Sequence, residues 1–109
     1  MAYDEGLAEL LRGEFADLDG MSEKKMFGGL CFLLHGNMVA GVHKDGGMAR
    51  VGKEREAEAL TIPGTAPLSF TGRPMGGMVD IDEDLLADDP RRAQVIALAL
   101  ENARSLPPK

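Results

Sequence analysis

Tryptophan is absent, tyrosine and cysteine appear once each, and cations are in the minority: 12 Lys and Arg stand against 18 Asp and Glu, a formal charge of −6. Each shortage removes a class of function. Cys31 alone cannot close an intramolecular disulfide, and Met1-Ala2-Tyr3-Asp4 lacks the charged-then-apolar leader of a secreted chain. The expected setting is therefore a reducing cytoplasm. The longest apolar run, Leu30 to Leu34, falls far short of the ~20 residues that span a bilayer, so no membrane role is expected. Direct nucleic-acid binding is not expected either, because phosphate neutralisation calls for a basic face.

What remains is ample for one domain over residues 1–109. With 44% hydrophobic residues, the chain can build a core that needs no disulfide or metal to hold it. Its acids crowd into Asp4 to Asp19 and Asp80 to Asp89. Lys24, Lys25, Lys44, Arg50 and Arg73 lie in the glycine-rich middle, which allows a local basic spot on an acidic protein.

Hydrophobic spacing orders the elements. Asp4 is placed to cap a first helix whose stripe is Leu7, Leu10, Leu11, Phe15 and Leu18, with Gly20 as its stop. A β-meander follows from Met26 to Gly52. Leu30 to His35 and Met38 to His43 are joined by Gly36-Asn37, and Asp45-Gly46 leads into Met48 to Val51. With those turns, Cys31, Leu33, Ala40, Val42, Ala49 and Val51 share one face, expected under the helices. Leu30, Phe32, Leu34, Val39, Gly41, His43, Met48 and Arg50 share the other, a mixed face suited to a partner. Lys53 to Leu60 reads as a charged helix, Thr61 to Pro67 as a loop, and Leu68 to Thr71 and Met78 to Ile81 as strands. Asp82 opens an acidic helical turn, and Asp89-Pro90 starts a last helix that ends at Pro107-Pro108. The fold class is α+β, a two-layer arrangement with an antiparallel sheet, helices on one side and the order α-β-β-β-α-β-β-α.

Cys31 and His35 are four residues apart on one strand, about 13 Å, and His43 is assigned to the opposite face. A metal site is therefore not expected, and Cys31 reads as a small core residue. Asp80 and Asp82 share a strand face, yet carboxylates before a helix start are favoured by its dipole. Gly28-Gly29 and Gly76-Gly77 lack the spacing of phosphate loops and read as bends or close backbone approaches. Arg50 inside a strand suggests an ion pair with Asp80 or Asp82. Its functional alternative is a small-anion pocket or a salt-bridging docking surface. The methionines near the glycine blocks, Met26, Met75 and Met78, suit adaptable protein contacts or plain gap-filling.

Two blocks carry a resemblance: Lys24-Lys25-Met26-Phe27-Gly28-Gly29 and Phe70-Thr71-Gly72-Arg73-Pro74-Met75. With Ala2-Tyr3-Asp4, Gly36-Asn37-Met38, Met48-Ala49-Arg50-Val51-Gly52 and Ala103-Arg104-Ser105-Leu106-Pro107, the chain resembles the N-terminal domain of the TfoX/Sxy competence regulators and their stand-alone, YgaC-like relatives. The resemblance implies a compact two-layer α+β domain and brings no catalytic residues. It also implies a role in transcriptional control of DNA uptake, which full-length relatives exert in concert with the cyclic-AMP receptor protein. Met78 stands where such relatives usually place a large aromatic residue. The combined expectation is a non-enzymatic regulatory or adaptor domain, without cofactor or metal, that contacts a protein such as a transcription factor and pairs as a homodimer. The residues expected to meet a partner or an anion are Lys25, Arg50, Arg73, Phe32, His43 and Met75. The alternative is a small-anion binder using Arg50, Arg73 and Lys25.

Overall fold

The computed structural model describes residues 3–26, 28–70 and 73–107. For Met26, Ser69, Phe70, Arg73, Pro74 and Met75 it describes the backbone alone. Helix α1 spans Glu5–Phe15. It starts where the Asp4 carboxylate accepts from the Gly6 and Leu7 N–H groups at 2.7 and 3.1 Å, and it buries Leu7, Ala8, Leu11 and Phe15. Strands β1 (Met21–Met26), β2 (Gly29–Leu34), β3 (Asn37–His43) and β4 (Gly46–Arg50) follow, then α2 (Lys53–Ala59). Strands β5 (Thr65–Phe70) and β6 (Arg73–Ile81) come next, and α3 (Glu83–Ala87) and α4 (Asp89–Arg104) close the fold. The sheet is antiparallel throughout, in the order β1-β2-β3-β4-β6-β5. The α+β class with helices on one face of an antiparallel sheet is as expected.

The observed order, α-β-β-β-β-α-β-β-α-α, adds elements that periodicity did not reveal. Strand β1 was missed because Ser22-Glu23-Lys24-Lys25 carries no apolar alternation. It is an edge strand with these residues exposed, and charge on an edge discourages further pairing. Strand β5 begins at Thr65 within the expected loop. Pro67 is tolerated there because β5 is the other edge, where its missing N–H costs no ladder bond. Helix α3 is a separate element capped by Asp82, whose carboxylate accepts from Leu85 N–H at 2.8 Å. The cap of α4 is Asp88, one residue earlier than expected, with proline within its first two positions.

The face assignments needed the largest correction. The β2–β3 turn is His35-Gly36, both with positive φ (49° and 86°), as a tight hairpin requires. Moving the turn from Gly36-Asn37 to His35-Gly36 leaves the alternation unchanged, since both strands shift together. A β-bulge does change it. Leu33 pairs with Met38, but Phe32 pairs with Ala40, so Val39 is an extra residue. Beyond it, β2 is flipped relative to the simple reading. Leu30, Phe32 and Leu34 pack under the helices with Val39, Ala40, Val42, Ala49 and Val51. Cys31 and Leu33 turn to the opposite face.

Two cores result. The larger lies between sheet and helices and takes in the buried apolar residues of all four helices, including Leu11, Ala59, Leu85 and Val95. The smaller lies on the other face: Cys31, Met38, Met48, Leu68 and Met78, with half-buried Leu33 against them. No helical residue belongs to it among the described residues.

Candidate functional site

The helix-free face is organised by a row that crosses four strands. Cys31 pairs with Gly41, Gly41 with Met48, and Met48 with Asp80, so β2, β3, β4 and β6 each place one residue in line. Gly41 carries no side chain in that row, and the space is already taken, since a Cβ there would lie 2.8 Å from Leu30 O. Cys31 Sγ lies 3.2 Å from where a Cβ on Gly41 would sit. The thiol is fully buried, and burial pushes its pKa up, because the thiolate would lose its hydration.

His43 lies two residues beyond Gly41 on β3 and faces the same way. Asp45 N–H donates to its Nδ1 at 3.1 Å, so Nδ1 is an acceptor and the ring proton resides on Nε2. Nε2–H then donates to Asp80 Oδ1 at 2.8 Å. Cys31, His43 and Asp80 therefore share a face, contrary to the expected separation of Cys31 from His43. They do not form a nucleophilic chain. Both ring nitrogens are engaged elsewhere, and the thiol is protonated by burial.

The remaining predicted residues divide sharply. Arg50, half-buried, pairs with Met78 in the ladder and stands on the helix-free face with His43. Its expected ion pair is not formed. Asp80 is held by His43 and Asp82 caps α3, and Arg50 bridges neither. Lys25 is exposed on β1 opposite Leu30, which places it on the helix side of the sheet with β2 and β3 between it and β4. Lys25 and Arg50 therefore do not converge on one anion. Phe32 is buried to 2% exposure, its ring 5.3 Å from that of Phe15, and belongs to the main core rather than to a contact surface. The expectations for the Arg73 and Met75 side chains lie outside the described residues.

The glycine blocks are structural, as expected. Gly77 has φ +83°, and a Cβ there would meet the backbone of Gly52 and Lys53 at 3.1–3.2 Å. The closeness serves main-chain bonding. Val51 and Gly52 N–H donate to Gly77 O at 2.9 and 3.0 Å, and Gly77 N–H donates to Glu56 Oε1 at 2.6 Å. At Gly29 a Cβ would lie 2.0 Å from Val42 O.

Sequence reasoning missed Met38, Leu33 and Leu68 as members of this face. Seven methionines in 109 residues hint at such a face, but the bulge at Val39, which the sequence does not announce, decides that Cys31 and Leu33 join it. No group of three His, Cys, Asp or Glu able to hold a metal occurs among the described residues. No described helix is long and apolar enough to cross a membrane.

No curated protein and no solved structure matches the chain. The family model for the TfoX N-terminal domain matches residues 14–103, a span that runs from the end of α1 through all six strands into α4. The chain belongs to the TfoX N-terminal domain family.

Proposed function

We propose that this domain is a non-enzymatic regulatory or adaptor module, acting in transcriptional control through protein–protein contacts on the helix-free face of its sheet. The observation that carries the reading is the make-up of that face. Half-buried Leu33 and the shallowly buried Met38, Leu68 and Met78 (6–9% exposed) adjoin the half-buried Arg50, with no described helix over them. Methionine-rich surfaces re-pack around different partners, and a neighbouring guanidinium supplies direction by pairing with a carboxylate. The partner that fits is a protein segment presenting an apolar side chain beside an acid. A transcription factor is the class that the family resemblance suggests. Self-association as a homodimer would use the same face.

Affinity capture of the tagged protein from native extract, beside a Leu33→Asp/Arg50→Ala variant of unchanged circular dichroism, tests the reading. Loss of a specific partner in the variant supports it. Equal capture by both forms moves the docking surface elsewhere. Light scattering at high concentration addresses the dimer, and a strict monomer removes that part.

A further inference from the structure

Helices α2 and α4 run antiparallel, as three points of approach show. A Cβ on Gly52 would lie 2.5 Å from Asn102 Oδ1, Arg55 Nε donates to Glu101 Oε2 at 3.1 Å, and Arg91 Nη1 donates to Pro63 O at 2.9 Å. Between those ends the seam stays open. Helix α2 buries only Ala59, and the exposed Ala97 of α4 offers no more than a methyl group. The result is a cleft of about 390 Å³ with an apolar part made by Ile62, Ala97 and Leu98. It follows α4 from Gln94 to Glu101, two turns or about 10 Å.

The charge lining the cleft has one sign. Its ionisable groups are Glu58 and Glu101, and no Lys or Arg lines it. Glu58 makes no ion pair among the described residues, and Glu101 gives one oxygen to Arg55 while its side chain stays 62% exposed. The cations at the two ends are committed. Arg55 is held by Glu101, and Arg91 by the Asp88 carboxylate and the carbonyls of Pro63 and Asp84. The polar wall adds acceptors: Thr61 spends its hydroxyl proton on Glu58 O, which leaves its oxygen free to accept. The C-terminal end of α2, negative by its dipole, opens on the same space.

From this we propose that the α2–α4 cleft docks a basic side chain of a protein partner, an arginine or lysine whose stem lies on Ile62, Ala97 and Leu98 and whose head meets Glu58 and the free oxygen of Glu101. An aliphatic stem ending in a cation is the shape and charge these two side chains have. An acidic side chain would be repelled by both carboxylates. A wholly apolar one would strip water from Glu58 and return no hydrogen bond. The cleft is open along the helices through the exposed Glu58, Gln94, Ala97 and Glu101, so a partner's chain can pass along it. The reading is independent of the docking role proposed above, where Arg50 on the other side of the sheet calls for an acid.

The probe is a fluorescein-labelled hexapeptide of alternating leucine and arginine, read by anisotropy, with the leucine–glutamate hexapeptide as its control. The arginine peptide should bind and the glutamate peptide should not, with amide shifts in NMR centred on Thr61, Ile62 and Gln94 to Leu98. Glu58→Lys, which suits a helix C-terminus, should weaken binding about tenfold by turning attraction into repulsion. Asp17→Lys makes the same change in net charge at an exposed position outside the cleft and should change binding less than about twofold. Ala97→Trp should fill the cleft and abolish binding while the helix content stays unchanged. Leu33→Asp/Arg50→Ala should bind as the wild type does, which separates this cleft from the helix-free face. Absence of binding, equal losses in Glu58→Lys and Asp17→Lys, or shifts centred away from the α2–α4 seam would each overturn the proposal.

Discussion

The two faces of the sheet solve the same packing problem with different materials. One is closed by helices and filled with branched and aromatic side chains of fixed shape: Phe32 against Phe15, and Val39 and Val79 in one cluster with Leu85 and Val95. The other has no described helix over it and is filled by three methionines spread over β3, β4 and β6, with Cys31, Leu33 and Leu68. A covered face gains from rigid interdigitation, because each side chain has neighbours on every side. A face that meets solvent or a partner gains from side chains that re-pack at little cost. The domain thus keeps its fold and its adaptability on opposite sides of one sheet.

Substitutions on each side should sharpen that contrast. Phe32→Ala removes an aromatic ring from the closed face and should cost about 3–5 kcal/mol by chemical denaturation. A cost below about 1 kcal/mol would mean that this face is as plastic as the other. At the seam between them, Gly77→Ala imposes a left-handed backbone on a residue with a Cβ and crowds Gly52 and Lys53. A loss of about 1–2 kcal/mol from the backbone alone is expected in the same measurement. Met48→Leu on the open face conserves volume and should cost less than about 1.5 kcal/mol despite complete burial. A larger loss would show that the sulfur cluster is packed as tightly as the main core.

The smallest effect concerns charge. Arg12 donates to Glu23 from its Nε at 2.7 Å, tying α1 to edge strand β1, and this holds the Glu23 carboxyl below its usual pKa. Because the folded-state value is depressed, the contribution is present above the unfolded pKa of about 4.3 and is lost as pH falls through the folded value. Arg12→Ala should therefore lower stability at neutral pH and flatten the acid side of the stability curve below about pH 4. An unchanged acid limb in thermal melts would assign that limb to other carboxylates, Asp88 among them, which Arg91 also holds low.

The elements with apolar periodicity were legible in the sequence. The α1 stripe, the β2–β3–β4 meander, the Asp82 helix start and the long α4 all follow from spacing and caps. What escaped was either too charged to alternate, as in β1, or decided by one residue. Nothing in Leu30 to His43 announces that Val39 is a bulge, yet it determines whether Phe32 or Cys31 faces the helices. That is why Phe32 was misplaced among the contact residues and Cys31 was separated from His43. Lys25 and Arg50 are close in the glycine-rich middle of the sequence, but pleat and strand order send them to opposite faces. Alternation is a local rule, and site geometry depends on how many times it is interrupted.

The crossing at Gly77 has a consequence for the order of assembly. Helix α2 has seven residues, buries only Ala59 among its described members and has no side-chain cap, since its N-cap is Gly52. Its beginning is secured instead by Gly77, whose carbonyl accepts from Val51 and Gly52 and whose N–H donates to Glu56. Those bonds form only once a strand made some 25 residues later in the chain has docked. A short helix without its own cap is marginal before then. In native-state hydrogen exchange, α2 and the β5–β6 hairpin should therefore open as one cooperative unit, while β2 to β4 stay protected. Although α2 directly follows β4 along the chain, it would fold as a dependant of β6.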